Sequence, residues 1–248
     1  MKKQLIFIFI ILLLNSLILV SSAFGQEQNK IRFKKDVEKE QAEAKKEEKV
    51  QYANVKFFQG ISAGVDIFGL VSNTLGGDYK SIEATFQVNL KNRYMPIVEI
   101  GQGAIDITND ETNVHFKTSA PYIRIGMDMN MMYKKPKLPG YITLGARLAH
   151  SSFSYDVDAP DLTDPNWKNI IMPFSYKDVK SNANWLEIVV GVRANIIKGL
   201  HMGWSIRYKS RLSMKENENS DPYYIPGYGK CKKSIYGCTY NISYDLPF

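Results

Sequence analysis

The chain has 248 residues, 44% hydrophobic and 12% aromatic, with a formal net charge of +7 and a pI near 9.1. The basic residues are dispersed and not gathered on one helix face, which, in a chain that opens with an export signal, excludes nucleic acid as the partner. After residue 25 no segment approaches roughly eighteen consecutive apolar residues, so any membrane crossing by the mature chain must be made by strands.

Lys2 and Lys3 precede an apolar stretch from Leu5 to Val20 and a small-x-small site at Ala23-Phe24-Gly25. This is the layout of a signal peptide over residues 1–25, with the mature chain starting at Gln26. The alternative is an uncleaved inner-membrane anchor, because the stretch is nearly long enough to span. No cysteine follows the cleavage site, so there is no lipid-attachment signal. Residues 26–54 then turn to small blocks of Lys and Glu with almost no large apolar side chain and cannot bury a core. They are expected to form a solvated periplasmic leader or a short charged helix; a sharper expectation is a docking site for a periplasmic or envelope partner.

From residue 55 to 248 the apolar period becomes two. Eight segments alternate, over 61–67, 81–90, 94–101, 122–133, 142–148, 186–196, 200–212 and 234–248. The last sets Tyr236, Cys238, Tyr240, Ile242, Tyr244, Leu246 and Phe248 against Gly237, Thr239, Asn241, Ser243 and Asp245. Connections alternate in length. Lys91-Asn92-Arg93, the run ending at Gly140, and Lys198-Gly199 are short; those near 70–79, 107–120, 158–183 and 215–233 are long and polar. Short turns on one side, long loops on the other and an even count predict an all-β fold, an eight-stranded antiparallel up-and-down transmembrane β-barrel of the outer-membrane type, with the charged leader in the periplasm. A lipocalin-like soluble barrel fits the count, but it would turn its apolar face inward.

Glycine marks the inner face. Gly64, Gly101, Gly126, Gly145, Gly191, Gly203 and Gly237 all fall on the polar side, where a narrow barrel needs small residues beside long ones. That side also carries Asp66, Glu83, Glu99, Asp128 and Glu187 with Arg124, Arg147, Arg193, Arg207, Lys209 and Arg211. Ions in a dry lumen must pair, so a plug of bidentate Arg–carboxylate bridges is expected, and a proton or ion path is the functional alternative. The outer face would meet outer-membrane lipid. Tyr240, Ile242, Tyr244, Leu246 and Phe248 resemble the C-terminal signal read by the barrel-assembly machinery. Cys231 and Cys238 would lie about 23 Å apart if the steps between them were extended, so a disulfide needs a bend near Lys232 to Ser234; bonded and free thiols are both open. The last long loop, with Pro222, Tyr223, Tyr224, Ile225, Pro226 and Tyr228, suits either a partner contact or packing onto its own barrel.

NRYMPIVEIG from Asn92, APYIRIGMDMN from Ala120, WLEIVVGVRANI from Trp185, HMGWSIRYKSRL from His201 and YYIPGYG from Tyr223 resemble a family of uncharacterised outer-membrane proteins of Bacteroidetes. The resemblance covers nearly everything after residue 55 and implies an exported β-barrel of unknown function with no catalytic residues to transfer.

The expected role is a small structural or interaction protein of a Gram-negative cell envelope; a narrow channel is a rival. An enzyme is the other. Lipid A deacylases of eight-stranded type use a His-x-Ser arrangement on a strand, and His150 and Ser152 have that spacing, with Asp156 or Asp164 as orienters, although the flanking residues do not match. His115, His150 and His201 are far apart and neither cysteine has zinc-ligand spacing, so no metal site is expected; no glycine loop or fingerprint points to a cofactor.

Overall fold

The computed structural model describes residues 52–67, 69, 79–110, 112–135, 138–159, 173–218 and 220–247. The signal segment and almost all of the leader, together with Asp164 and Phe248, lie outside the described residues. Eight strands form the wall: β1 (Phe58–Asp66), β2 (Tyr79–Leu90), β3 (Tyr94–Thr108), β4 (His115–Asn130), β5 (Gly140–Ala159), β6 (Phe174–Ile197), β7 (Leu200–Met214) and β10 (Ser234–Asp245). A small hairpin, β8 (Tyr224–Ile225) and β9 (Gly229–Lys230), sits between β7 and β10. Each wall strand pairs antiparallel with its chain neighbour, and β1 closes the ring on β10. That closing seam is short, running from Ser62 opposite Asp245 to Asp66 opposite Asn241.

The strands form because one face of each is apolar and β-branched or aromatic, and the dyad period keeps that face on one side of the wall. In the half nearest the short turns the polarity is the reverse of a soluble barrel. Ile142, Leu144 and Leu148 on β5 point out and are exposed, while Thr143 and Arg147 point in and are buried. β4 repeats this with Ile123, Ile125 and Met127 outside and Arg124 and Asp128 inside, and β6 with Leu186, Ile188 and Val190 outside and Glu187 inside.

Beyond Leu148 the faces exchange character without a change of phase. His150 and Ser152 now point outward, while Phe153, Tyr155 and Val157 are buried inside. β4 places Lys117 and Ser119 outside against Phe116 and Ala120 inside; β6 places Lys180 and Asn182 outside against Ala183 and Trp185 inside. The upper half is therefore an ordinary apolar core wrapped in polar residues, joined by Ile105, Tyr122, Tyr224, Ile225 and Tyr228. The charged layer occupies the lower half of the interior, and aromatic packing fills the upper one.

The strands overrun the expected loops. Residues 107–120 are not a long connection, since β3 continues to Thr108 and β4 starts at His115. A six-residue turn, 109–114, is closed by Asn109 N to Val114 O at 3.0 Å, with Asn113 left-handed at φ 54°. Ile105 and Phe116 extend the inner apolar face and hold the added length. The last loop folds inward. Pro222, Tyr224, Ile225, Pro226 and Tyr228 are buried and only Tyr223 of the group is exposed. Burying a large apolar side chain contributes about 1.5–3 kcal/mol, enough for Tyr224, Ile225 and Tyr228 to hold the hairpin down.

Candidate functional site: the ion-paired interior

Register assembles the charged layer. Glu99 stands opposite Arg124, Arg147 opposite Glu187, and Glu187 opposite Lys209. Glu83, Glu99, Asp128 and Glu187 are buried with Arg124, Arg147, Arg207 and Lys209, four acids against four bases. Glu99 is the hub. Its two oxygens accept from Arg207 Nη1 at 2.6 Å and Nη2 at 3.1 Å, from Arg147 Nε at 3.3 Å and from Arg124 Nη1 at 3.2 Å. Arg124 Nη1 also donates to Glu83, and its Nε lies 2.9 Å from Glu187. Arg147 holds Asp128 through both terminal nitrogens, at 2.8 and 2.9 Å.

The layer reaches up into the hairpin. Arg124 Nη2 donates to Gly227 O at 2.8 Å, and Lys209 Nζ to Gly227 O and Tyr228 O at 2.8 and 3.2 Å. Tyr122 OH donates to Glu83 at 2.7 Å and Trp185 Nε1 to Glu187 at 2.6 Å, so the lone pairs of the buried acids are also used by neutral donors. Two glycines make this geometry possible. A Cβ on Gly145 would strike Asp128 Oδ1 and Arg147 Nη1, and one on Gly227, which is left-handed at φ 79°, would strike the Tyr122 ring. Beneath the layer lies a cavity of about 90 Å³ lined by Ser62, Gln87, Glu99, Arg193 and Arg207 among others.

Three residues expected in the network stand apart from it. Asp66 Oδ1 accepts from Tyr240 N at 3.0 Å and so ties the closing seam. Arg193 donates to Gln87, to Ser243 at 2.5 Å and to Ser62 at 3.2 Å, all neutral. Arg211 is a correction: a bulge between Asn184 and Trp185 shifts the register beside it, and its guanidinium meets Cys231 Sγ at 2.8 Å and Met214 Sδ at 3.3 Å. Of the two alternatives open for Cys231 and Cys238, the structure holds the unbonded one. Both cysteines are free, because Cys238 lies within β10 with its side chain exposed and Cys231 belongs to the hairpin, against Arg211. Tyr240, Ile242 and Tyr244 lie in β10, and Leu246 follows it, with its N–H on Ile61 O at 2.8 Å.

The catalytic candidates lie on β5. His150 Nδ1 is 2.8 Å from Asn184 Oδ1, and Asn184 Nδ2 donates to Ser213 Oγ at 3.0 Å. Asp156 is not brought to His150; it accepts from Asp178 N at 2.8 Å. Among the described residues no group of three or more His, Cys, Asp or Glu is placed to hold a metal. At the long-loop rim His115 bridges Asp106 at 2.8 Å and Asp158 at 3.1 Å. The hydrogen bond that His115 Nε2 donates to the Asp106 carboxylate is the main reason the His115 imidazolium is favoured and its pKa is raised, and the same bond lowers the pKa of Asp106. The roles of Tyr122, Gln87, Trp185 and Gly227 are not visible in the sequence. The crowding of Pro, Tyr and Gly over residues 222–229 is the available signal for Gly227.

Among solved structures, Neisserial surface protein A is 14% identical, with 76% of this chain and 96% of that one covered and a TM-score of 0.38. A major outer membrane protein from Thermus thermophilus is 11% identical, covering 75% and 98%, with a TM-score of 0.44. Ail, the attachment invasion locus protein of Yersinia pestis, is 8% identical, covering 75% and 95%, at 0.37. No curated protein matches the chain in sequence. A family model described as a domain of unknown function, DUF6048, matches residues 5–248, and the chain belongs to that family.

Proposed function

We propose that this is a structural or interaction barrel of the outer membrane of a Gram-negative bacterium of the Bacteroidetes type, with a lumen closed by side chains. The observation that carries the proposal is the outward apolar belt around a charge-balanced interior. From Leu186 to Ile196 the belt on β6 runs about 33 Å along the strand, about 25 Å of membrane thickness at the usual tilt of about 40°. Such a surface needs an apolar environment, which acyl chains supply on every side of a closed wall, and the buried ions behind it are costly unless paired. Short turns and leader face the periplasm, the signal peptide having been removed, and the upper core stands outside the membrane. The outward side chains of β10, with Leu246 and Phe248, serve the assembly machinery during insertion, and the leader is left to contact an envelope partner.

Closure is supported by the hairpin seated on Arg124 and Lys209 above the Glu99 hub. Reconstituted into a planar bilayer, the protein should show no stable open state, and a large steady conductance would refute the closed lumen. On gels the unboiled protein should migrate apart from the boiled one; identical migration would count against a closed barrel. The alternative class is hydrolysis of a lipid A acyl chain. His150 and Ser152 share the outward face just above the belt, with Asn184 orienting the imidazole. Loss of an acyl chain from lipid A by mass spectrometry, abolished in His150→Ala, would establish it.

A further inference from the structure

Among the described residues, the short-turn end of the barrel is strongly basic. Its turns and the segment entering β1 bring Lys56, Lys91, Arg93, Lys134, Lys135 and Lys198 together, with no acid in the stretches 52–57, 91–93, 131–135 or 198–199. All five lysines are exposed. The described rim holds one acid, Asp245, and His201 engages it at 2.7 Å. The opposite end mixes Asp106, Asp156, Asp158 and Glu216 with Lys117, Lys177 and Lys215, so the asymmetry is not a consequence of the overall charge.

These cations are positioned, not merely present. Lys91 and Asn92 form a two-residue hairpin turn, both left-handed at φ 54° and 55°, closed by Arg93 N to Leu90 O at 3.0 Å. Asn-Gly is the easy choice for that turn, and a lysine adopts the first position against its backbone preference. A long cationic side chain therefore stands at the tip where a glycine or asparagine would be more stable. The Arg93 guanidinium lies 4.9 Å from the Tyr94 ring centre and 4.5 Å from that of Tyr133, and its Nε is buried without a hydrogen-bond partner. Lys91 Nζ is 5.2 Å from the Tyr52 ring, which meets the Tyr133 ring edge-on at 5.0 Å. Tyr94 belongs to the lower edge of the apolar belt. Rings at that level with ammonium and guanidinium groups at their faces form a collar at the depth of lipid headgroups.

We infer that this collar binds the phosphate groups of anionic phospholipids in the leaflet facing the short turns. The inference rests on the barrel being a membrane protein. Basic residues near a membrane surface each add to anionic-lipid affinity, and a cluster with no intervening acids adds most. Neutral glycerophospholipids carry a compensating cation and gain less. The collar therefore fixes depth as well as lipid preference, since its charges cannot rise into the belt.

The full chain, folded into nanodiscs of equal phosphatidylglycerol and phosphatidylcholine and released for native mass spectrometry, tests this. Wild type should retain phosphatidylglycerol about tenfold over phosphatidylcholine, and the quadruple variant Lys91→Gln, Lys134→Gln, Lys135→Gln, Lys198→Gln should lose most of that enrichment while keeping its heat shift on gels. Should the quadruple variant not fold, Lys91→Gln alone, at an exposed tip, should show a loss of about twofold, an equal share of the tenfold enrichment among the four lysines. Equal retention of the two lipids by wild type, or unchanged enrichment in the variants, overturns the collar. Failure to enter vesicles of phosphatidylcholine alone would overturn the membrane reading itself, and the collar with it.

Discussion

Replacing Glu99 with glutamine keeps the volume of the hub and removes its charge. In the native interior the carboxylate receives four charge-assisted contacts, two from Arg207 and one each from Arg147 and Arg124. Glu99→Gln leaves Arg124, Arg147, Arg207 and Lys209 against Glu83, Asp128 and Glu187, one uncompensated positive charge in a layer closed above by the hairpin. The new amide also points a donor at guanidinium groups that only donate. Breaking a buried ionic network by removing one partner costs about 3–5 kcal/mol, whereas the same change in a hydrated site costs about 1 kcal/mol or less. Urea unfolding in vesicles, followed by tryptophan fluorescence, separates the two, because Trp185 is hydrogen-bonded to Glu187 in the same layer. The double variant Glu99→Gln with Arg207→Gln restores charge balance and should recover about 1–3 kcal/mol relative to the sum of the single changes. A Glu99→Gln protein within about 1 kcal/mol of wild type, with no recovery in the double variant, would refute a dry, mutually dependent interior.

Gly227→Ala should expel the hairpin, since the added carbon meets the Tyr122 ring in a left-handed backbone; protease cleavage within residues 222–230 of the folded protein should rise, and unchanged resistance would show the hairpin is not held there. His115, with its pKa raised chiefly by Asp106, stabilises the β3–β4 hairpin fully below its unfolded value near 6.5, and that contribution is lost as pH rises through the higher folded value. Amide exchange at residues 106–117 should therefore accelerate from pH 6 to pH 8 in wild type and lose that pH dependence, beyond the intrinsic exchange rate, in His115→Gln. Asp106, with its pKa lowered, acts in the opposite range: its contribution is present above about 3.8 and disappears as pH falls through the folded value. Oxidation should form no intramolecular disulfide. A water-soluble maleimide should reach Cys231 in membranes, while Cys238, on the outward face of β10, should react only with a lipid-soluble reagent, and the opposite pattern would place β10 wrongly.

The barrel is legible because its signal is periodic and repeated. Alternation such as Ile82, Ala84, Phe86 and Val88 against Glu83, Thr85 and Gln87 fixes which face turns inward once the glycines are assigned to the crowded side. Strand ends are less legible. Residues 107–108 and 115–120 read as loop, and 102–106 fall outside the third segment, because Gln102, Asp106, Lys117 and Ser119 remove the apolar outward face, while the inward Ile105, Phe116 and Ala120 begin a new one; a single polarity ends where the two faces exchange. The charged residues of the interior follow from the dyad, but not their partners. Arg193 and Glu187 share a face of β6, yet only Glu187 lies at the level of the guanidinium cluster. Arg211 leaves the expected set through a bulge, which inserts a residue without any change in composition. The hairpin over the layer depends on a loop folding back into the barrel, a tertiary outcome that prolines and tyrosines permit without dictating.

The junction of β1 with β10 gives the ring a preferred place to part. Among the described residues it comprises five facing positions, whereas β5 and β6 are matched along nearly their whole lengths. Pulled or thermally agitated, the cylinder should unzip along this line first, and newly made protein should fasten it last. Asp66, whose carboxylate grips the Tyr240 amide there, then acts as the latch of a clasp, at the point where the two ends of the wall must find each other.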